Sequence, residues 1–295
     1  GVDTVTVTIT GASSNVVVNT FAEKDVVTVT NTGASSYLIV NSGTEADQVS
    51  LHATGTDSRV QLNGDAGADI FVVNSTSSSS LLEINSGAGA DDITFNGASG
   101  TTVLNAGTEN DMVRVNSIDG IAILNGDDND DTFVIEATEA TSDLIINAGA
   151  GEDDITFNGA SGTTVLNAGT ENDRVLVNNI GGTATLNGDD NDDLFTIFKM
   201  SGTLAVNGNN GADTIHVTFD PTSTGDVVFR GGAGNDTFRI HTAHPAGDTP
   251  FYGDADDDIF YFYQDWGTAL VYDASGLNDT LDFTNIIDRL RFIID

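Results

Sequence analysis

The sequence predicts an all-β chain: a right-handed parallel β-helix or β-roll of about 13 rungs, each of 20–22 residues with two main strands. Three observations predict it. An Asp that closes a short acidic turn recurs every 20 to 23 residues, from Asp3 to Asp279. Two runs of alternating apolar residues fall inside each period, the spacing of strands with one face in and one face out. No segment carries a 3.6-residue apolar period, so helix is expected to be nearly absent.

The first strand follows the closing Asp and places apolar residues two and four positions after it. Val27/Val29, Phe71/Val73, Ile93/Phe95, Phe133/Ile135 and Phe238/Ile240 are examples, with Thr28, Thr94, Arg114 and Arg239 among the intervening outward residues. The second strand precedes an opening Asn and turns inward Leu38/Val40, Val60/Leu62, Leu82/Ile84, Leu144/Ile146 and Leu204/Val206. In some rungs its first inward residue is small or polar, as at Thr102, Ala122, Thr164 and Ala184, and a narrower core is expected there.

The two turns differ. Five residues always separate the opening Asn from the closing Asp, as in GDAGA at 64–68 and GDDND at 126–130. The other turn varies in length, as in NSTSSSS at 74–80 and NGASG at 96–100. A constrained turn beside a tolerant one suggests that only the first has a geometric task. The opening Asn, from Asn19 to Asn207, reads as structural, because stacked amides can bond from rung to rung.

Residues 1–250 read as a regular solenoid, and 251–295 as aromatic-rich terminal rungs with a possible cap, continuous with it. In that last part Tyr252, Phe260, Tyr261, Phe262, Tyr263 and Trp266 crowd together, and 286–294 adds an apolar run. Residues 91–111 recur letter for letter at 153–173, a duplication of three rungs at once, as expected where only stacking neighbours constrain the sequence. The repeat already runs at Asp3, which favours a piece of a longer protein.

The formal charge of −36 argues against nucleic acid and anionic membrane surfaces as partners. No run is long enough to span a bilayer, so membrane insertion is not expected. There is no Cys, hence no disulfide framework.

Parity puts each closing Asp at the inner edge of its turn. Rungs about 4.8 Å apart would then align the carboxylates in one column. Adjacent unit charges at that spacing repel by roughly 1 kcal/mol in water and about 3 kcal/mol at an effective dielectric near 20. Such a column calls for cations between rungs or for raised carboxyl pKa values. A hard oxygen-binding cation such as Ca²⁺ suits it. Simple capping of turn amides by the same Asp is the plain alternative.

Residues 231–238, GGAGNDTF, match the glycine-rich repeat G-G-x-G-x-D-x-U, and NGDAGADIF, NSGAGADDI and NGNNGADTI are relaxed versions. The chain thus resembles RTX calcium-binding proteins. That resemblance implies a calcium-loaded β-roll of a secreted or cell-surface protein. The family repeats the motif in tandem, with ions along both edges; here it occurs once per period, a departure that suggests several Ca²⁺ ions in one column along the constant turn. Carried over residue by residue, it implies side-chain ligands at Asp25, Asp47, Asp69, Asp91, Asp111, Asp131, Asp153, Asp173, Asp193, Asp213, Asp236, Asp258 and Asp279. Asp65, Asp127, Asp189 and Asp254 would add second carboxylates, while Asp130, Asp192 and Asp257 read as solvated.

No enzyme constellation stands out. The outward basic residues Arg59, Arg114, Arg174 and Arg239 are scattered, and His241, His244 and Asp248 share one loop without a metal-ligand spacing. The expected function is a non-catalytic, calcium-binding structural or adhesive module that is extracellular or on a cell surface. Its expected partners are calcium, other copies of itself, or surface glycans and proteins. A filament subunit stacking end to end, and a carbohydrate-active β-helix enzyme or its targeting module, are the alternatives.

Overall fold

The computed structural model describes the chain except residues 9–10, 243–244, 246–248, 264–265, 267–268, 273–275, 277 and 287–295. The described residues form a parallel β-solenoid of two stacked sheets, of 14 and 13 strands, with no helix. Each sheet takes one strand from every rung, so each strand pairs with the strand two places along the chain. No helix is long and apolar enough to cross a membrane among the described residues.

The repeat itself sets the register. Met112–Val115 pairs in parallel with Asp92–Phe95 on one side and Thr132–Ile135 on the other, equivalent residue against equivalent residue. A slip of one residue would send Val113 and Val115 outward, so the alternating pattern holds the register. The inward residues meet between the sheets. Phe71, Phe95, Phe133, Phe157, Phe195, Phe238 and Phe260 are fully buried, each contributing about 1.5–3 kcal/mol. Phe238 and Phe260 stack with ring centres 4.7 Å apart.

The tolerant turn has a geometric task after all. A further buried row comes from it: Ala98, Ile118, Ala160, Ile180 and Met200 join the same core cluster. Ala98, Ile118, Ala160 and Ile180 lie in the rungs where the second strand begins with a small or polar inward residue, Thr102, Ala122, Thr164 and Ala184, while Met200 precedes Leu204. A gap there would forfeit packing contacts, and the turn supplies side chains instead. The same turn carries its own hydrogen-bond ladders. Thr54 Oγ1 accepts the Ser77 amide at 2.8 Å, and Thr76 Oγ1 accepts the Ser99 amide at 2.8 Å. Asn96 donates to Asn74 at 2.8 Å and Asn116 to Asn96 at 2.7 Å. Variable length hid this pattern, because the ladder residues fall at irregular spacings.

At the C-terminal end Trp266 packs edge-on against Phe262 at 4.9 Å between centres, and Phe262 stacks on Phe283 at 4.7 Å. The apolar run at 286–294 lies outside the described residues beyond Ile286, as do His244 and Asp248.

Candidate functional site

The constant turn is built from backbone that most residues avoid. In the turn of residues 231–236, Gly232 and Gly234 both have φ of 121°. The equivalent positions elsewhere are also left-handed, at Asp127 (φ 78°) and Asn129 (φ 77°), or Gly107 (φ 113°) and Glu109 (φ 72°). Gly, Asn and Asp tolerate this region best, which explains the turn's composition. The alternating backbone delivers the closing Asp to the inside of the edge.

There the carboxylates form an unbroken ladder. The amide of each closing Asp donates to Oδ1 of the next, from Asp25 onto Asp47 (2.7 Å), through Asp111 onto Asp131 (2.8 Å), to Asp258 onto Asp279 (2.9 Å). The predicted residues Asp25, Asp47, Asp69, Asp91, Asp111, Asp131, Asp153, Asp173, Asp193, Asp213, Asp236 and Asp258 are all buried, while Asp279 is partly so. Their Oδ1 atoms point at amide hydrogens, as amide capping requires. Their second oxygens do not. Oδ2 of every ladder residue from Asp25 to Asp236 is buried with no hydrogen-bond partner.

The glycines show where those oxygens aim. A Cβ added to Gly64 would lie 2.4 Å from Asp69 Oδ2 and 2.2 Å from the Ser86 carbonyl of the next rung. At Gly126 the same point lies 2.2 Å from Asp131 Oδ2 and 2.1 Å from the Ala148 carbonyl. A carboxylate oxygen and a carbonyl oxygen therefore converge beside one Cα. Two acceptors that face each other in a buried place need a proton or a cation between them.

Burial, first of all, raises the ladder pKa values. Asp131, Asp173 and Asp236 are pushed up to about 8, and Asp69, Asp91, Asp153 and Asp193 to about 7. The amide of the preceding rung works the other way, and neighbouring carboxylates add to the rise; Asp111 and Asp213 reach about 6.

The second set of predicted ligands is divided. Asp65 and Asp127 are exposed in the left-handed backbone of the turn. Asp189 accepts from the Asn209 amide group at 3.0 Å, and Asp254 pairs with Arg230 at 3.2 Å. Asp130, Asp192 and Asp257 are not merely solvated, since each accepts an amide of the following rung, Glu152, Ala212 and Asn278. No three His, Asp or Glu side chains converge on one metal position among the described residues. An ion at this edge would therefore rest on ladder carboxylates and backbone carbonyls. That donor set is all oxygen and fits Ca²⁺ better than a nitrogen- or sulfur-seeking metal.

The opening Asn residues do form a ladder. Each side-chain amide donates to the Oδ1 of the preceding rung, unbroken from Asn207 back to Asn19, as with Asn125 onto Asn105 at 2.8 Å. No protein-family model, curated protein or solved structure matches the chain.

Proposed function

We propose that the chain is a non-catalytic structural rod, a stiff module of a secreted or cell-surface protein, and that its acidic edge takes up calcium. One observation carries this reading: a buried, unpartnered Oδ2 repeats rung after rung, and beside Gly64, Gly126, Gly188 and Gly208 it converges with a carbonyl oxygen that offers no proton. A divalent cation would bond to both oxygens and offset the repulsion along the column. Asp69, Asp131, Asp193, Asp213 and Asp236, which lie beside glycine, are the first residues to hold it.

Continuous ladders from end to end make such a unit a spacer or an adhesive stalk. Calcium sites built from few carboxylates work at the millimolar levels found outside cells, which is the ground for the proposed location. The outward arginines support the structural reading as well. Arg59, Arg114, Arg174 and Arg230 each pair with an acid of a neighbouring rung, Glu83, Glu136, Asp154 and Asp254.

Calcium titration against chelation, followed by circular dichroism and thermal melting at neutral pH, tests the proposal. Each site filled at a hundred times its Kd adds about 2.7 kcal/mol, so the melting temperature should rise by many degrees. A melting curve indifferent to both calcium and chelator would sink it.

A further inference from the structure

Five arginines lie among the described residues, and four of them face an acid on an adjacent rung. Arg239 does not. On the outer face of the 14-stranded sheet it stands in register between His216 of the rung before and Tyr261 of the rung after. His241 lies two residues along the same strand, on the same face. Arg239 has no ion pair among the described residues, and its Nε is buried without a hydrogen-bond partner. Its guanidinium sits over the Tyr261 ring at 5.4 Å, which fixes it in place. His241 is held by stacking on Tyr263 at 3.9 Å between ring centres. The nearest acid in that row is Asp282, which follows Tyr261 and so lies two rungs past Arg239.

In a chain with 45 acidic residues this is an unneutralised basic spot. We infer that His216, Arg239 and His241 form a binding site for an oxyanion, a sulfate or carboxylate group, free or carried on an acidic polysaccharide. The guanidinium supplies a planar fork of donors that matches such groups, and the imidazoles supply two more N–H donors, one on the preceding rung and one two residues along the strand. Burial, and then the charge of Arg239, hold both imidazoles below their ordinary pKa, so without a ligand they stay neutral near pH 7. A bound anion reverses that field, so binding takes up protons and tightens as pH falls. The inference does not rest on the calcium reading, because none of its residues belongs to the carboxylate ladder.

The test is calorimetric titration of the full chain, at fixed calcium, with sodium sulfate, dextran sulfate, polygalacturonate and neutral dextran, at about pH 5.5 and about pH 7.5, either side of the histidine range. Binding of an acidic probe is expected at the lower pH and at least tenfold weaker at the higher. Arg239→Gln should lose it by tenfold or more, whereas Arg114→Gln, in the same outward row, should leave it unchanged. If sulfate alone binds, the site reads the free ion; if only polymers bind, it reads the group on a sugar chain. Should Arg239→Gln fail to fold, the double variant His216→Asn/His241→Asn carries the same expectation and should abolish the pH dependence. The inference is overturned if neutral dextran binds as well as the acidic probes, if no acidic probe binds at the lower pH, or if Arg114→Gln loses as much as Arg239→Gln.

Discussion

The two edges of the solenoid solve one problem with different chemistry. Each must supply acceptors for amides that the turn takes out of the sheet ladder. On the variable edge the acceptors are neutral: Thr54 and Thr138 take the amides of Ser77 and Ser161 at 2.8 and 2.9 Å. On the constant edge they are carboxylates, from Asp25 to Asp279. Hydroxyls already satisfy turn amides, so hydrogen bonding alone does not require a charge. Buried carboxylates one rung apart carry a repulsion of roughly 3 kcal/mol at an effective dielectric near 20. The acidic edge therefore holds a surplus that a proton or a cation must absorb. That difference is the ground on which the two edges can be told apart in solution.

Removing an acceptor from the acidic edge should have the largest effect. Asp153→Ala leaves the Asp131 amide buried without its 2.7 Å partner. A loss of about 1–3 kcal/mol in urea unfolding is expected, before any cavity cost. Asp153→Asn keeps the Oδ1 acceptor and replaces the unpartnered second oxygen with an uncharged amide nitrogen. In the absence of calcium it should be no less stable than the parent, and calcium should stabilise it less. A parent and variant with equal calcium responses would separate the ladder from the ion.

The pH dependence comes next. Burial raises Asp131, Asp173 and Asp236 to about 8, while an unfolded Asp titrates near 3.9. Between those values the folded chain holds more protons than the unfolded one. Without calcium, stability should then be greatest below about pH 4 and fall as pH rises toward about 8. Carboxylates whose ionised form is stabilised in the folded state give the opposite trend. Melting temperatures across that range, with and without calcium, check it, and calcium should flatten the fall. A metal-free chain that gains stability from pH 4 to 8 would show that the column is ionised without cost.

Much of this was legible in the residues. The closing Asp and the apolar pairs after it gave the period, the register and the buried position of the column, because strand parity transmits position faithfully over four residues. The Asn ladder was legible for the same reason. What could not be read was the contact each oxygen makes. Parity puts Asp131 inside, but whether its Oδ1 meets the Asp111 amide depends on the left-handed backbone at Asp127 and Asn129. The variable turn misled for a related reason. Ile118, Ile180 and Met200 reach the core from a turn whose length changes, so no fixed spacing announces them. The Arg239 site was missed because His216, Arg239 and Tyr261 lie 22 to 23 residues apart in sequence and meet only through rung register. Writing the sequence as stacked rungs would have exposed that row.

Within the acidic edge, glycine and alanine rungs offer a finer contrast. Gly126→Ala puts a methyl carbon about where Asp131 Oδ2 and the Ala148 carbonyl converge, at 2.2 and 2.1 Å. The carbonyl belongs to the backbone and cannot swing aside, so about 1–3 kcal/mol should be lost. The neighbouring rung already carries alanine at 148, and Ala148→Gly should cost only about 0.5–1 kcal/mol through backbone entropy. Denaturant midpoints compare the two. Equal small losses would mean that the carboxylate, not the carbonyl, gives way.

The smallest effects belong to the Asn ladders, and they rank by how far their hydrogen bonds are shielded from water. Asn147 is partly buried and bridges Asn125 and Asn167 at 2.8 and 2.9 Å. Asn147→Ala breaks both bonds and should cost about 0.5–1.5 kcal/mol. Asn158 is also partly buried, but its bonds on the variable edge are exposed: it donates to Glu136 at 2.9 Å and accepts from Asn178 at 2.7 Å. Water can replace both partners there, so Asn158→Ala should stay within about 0.5 kcal/mol. Urea unfolding of the two variants side by side decides whether a ladder gains its strength from the number of its bonds or from the exclusion of water. A loss at Asn158 as large as that at Asn147 would favour the number, and would make the variable edge as much a spine of the rod as the acidic one.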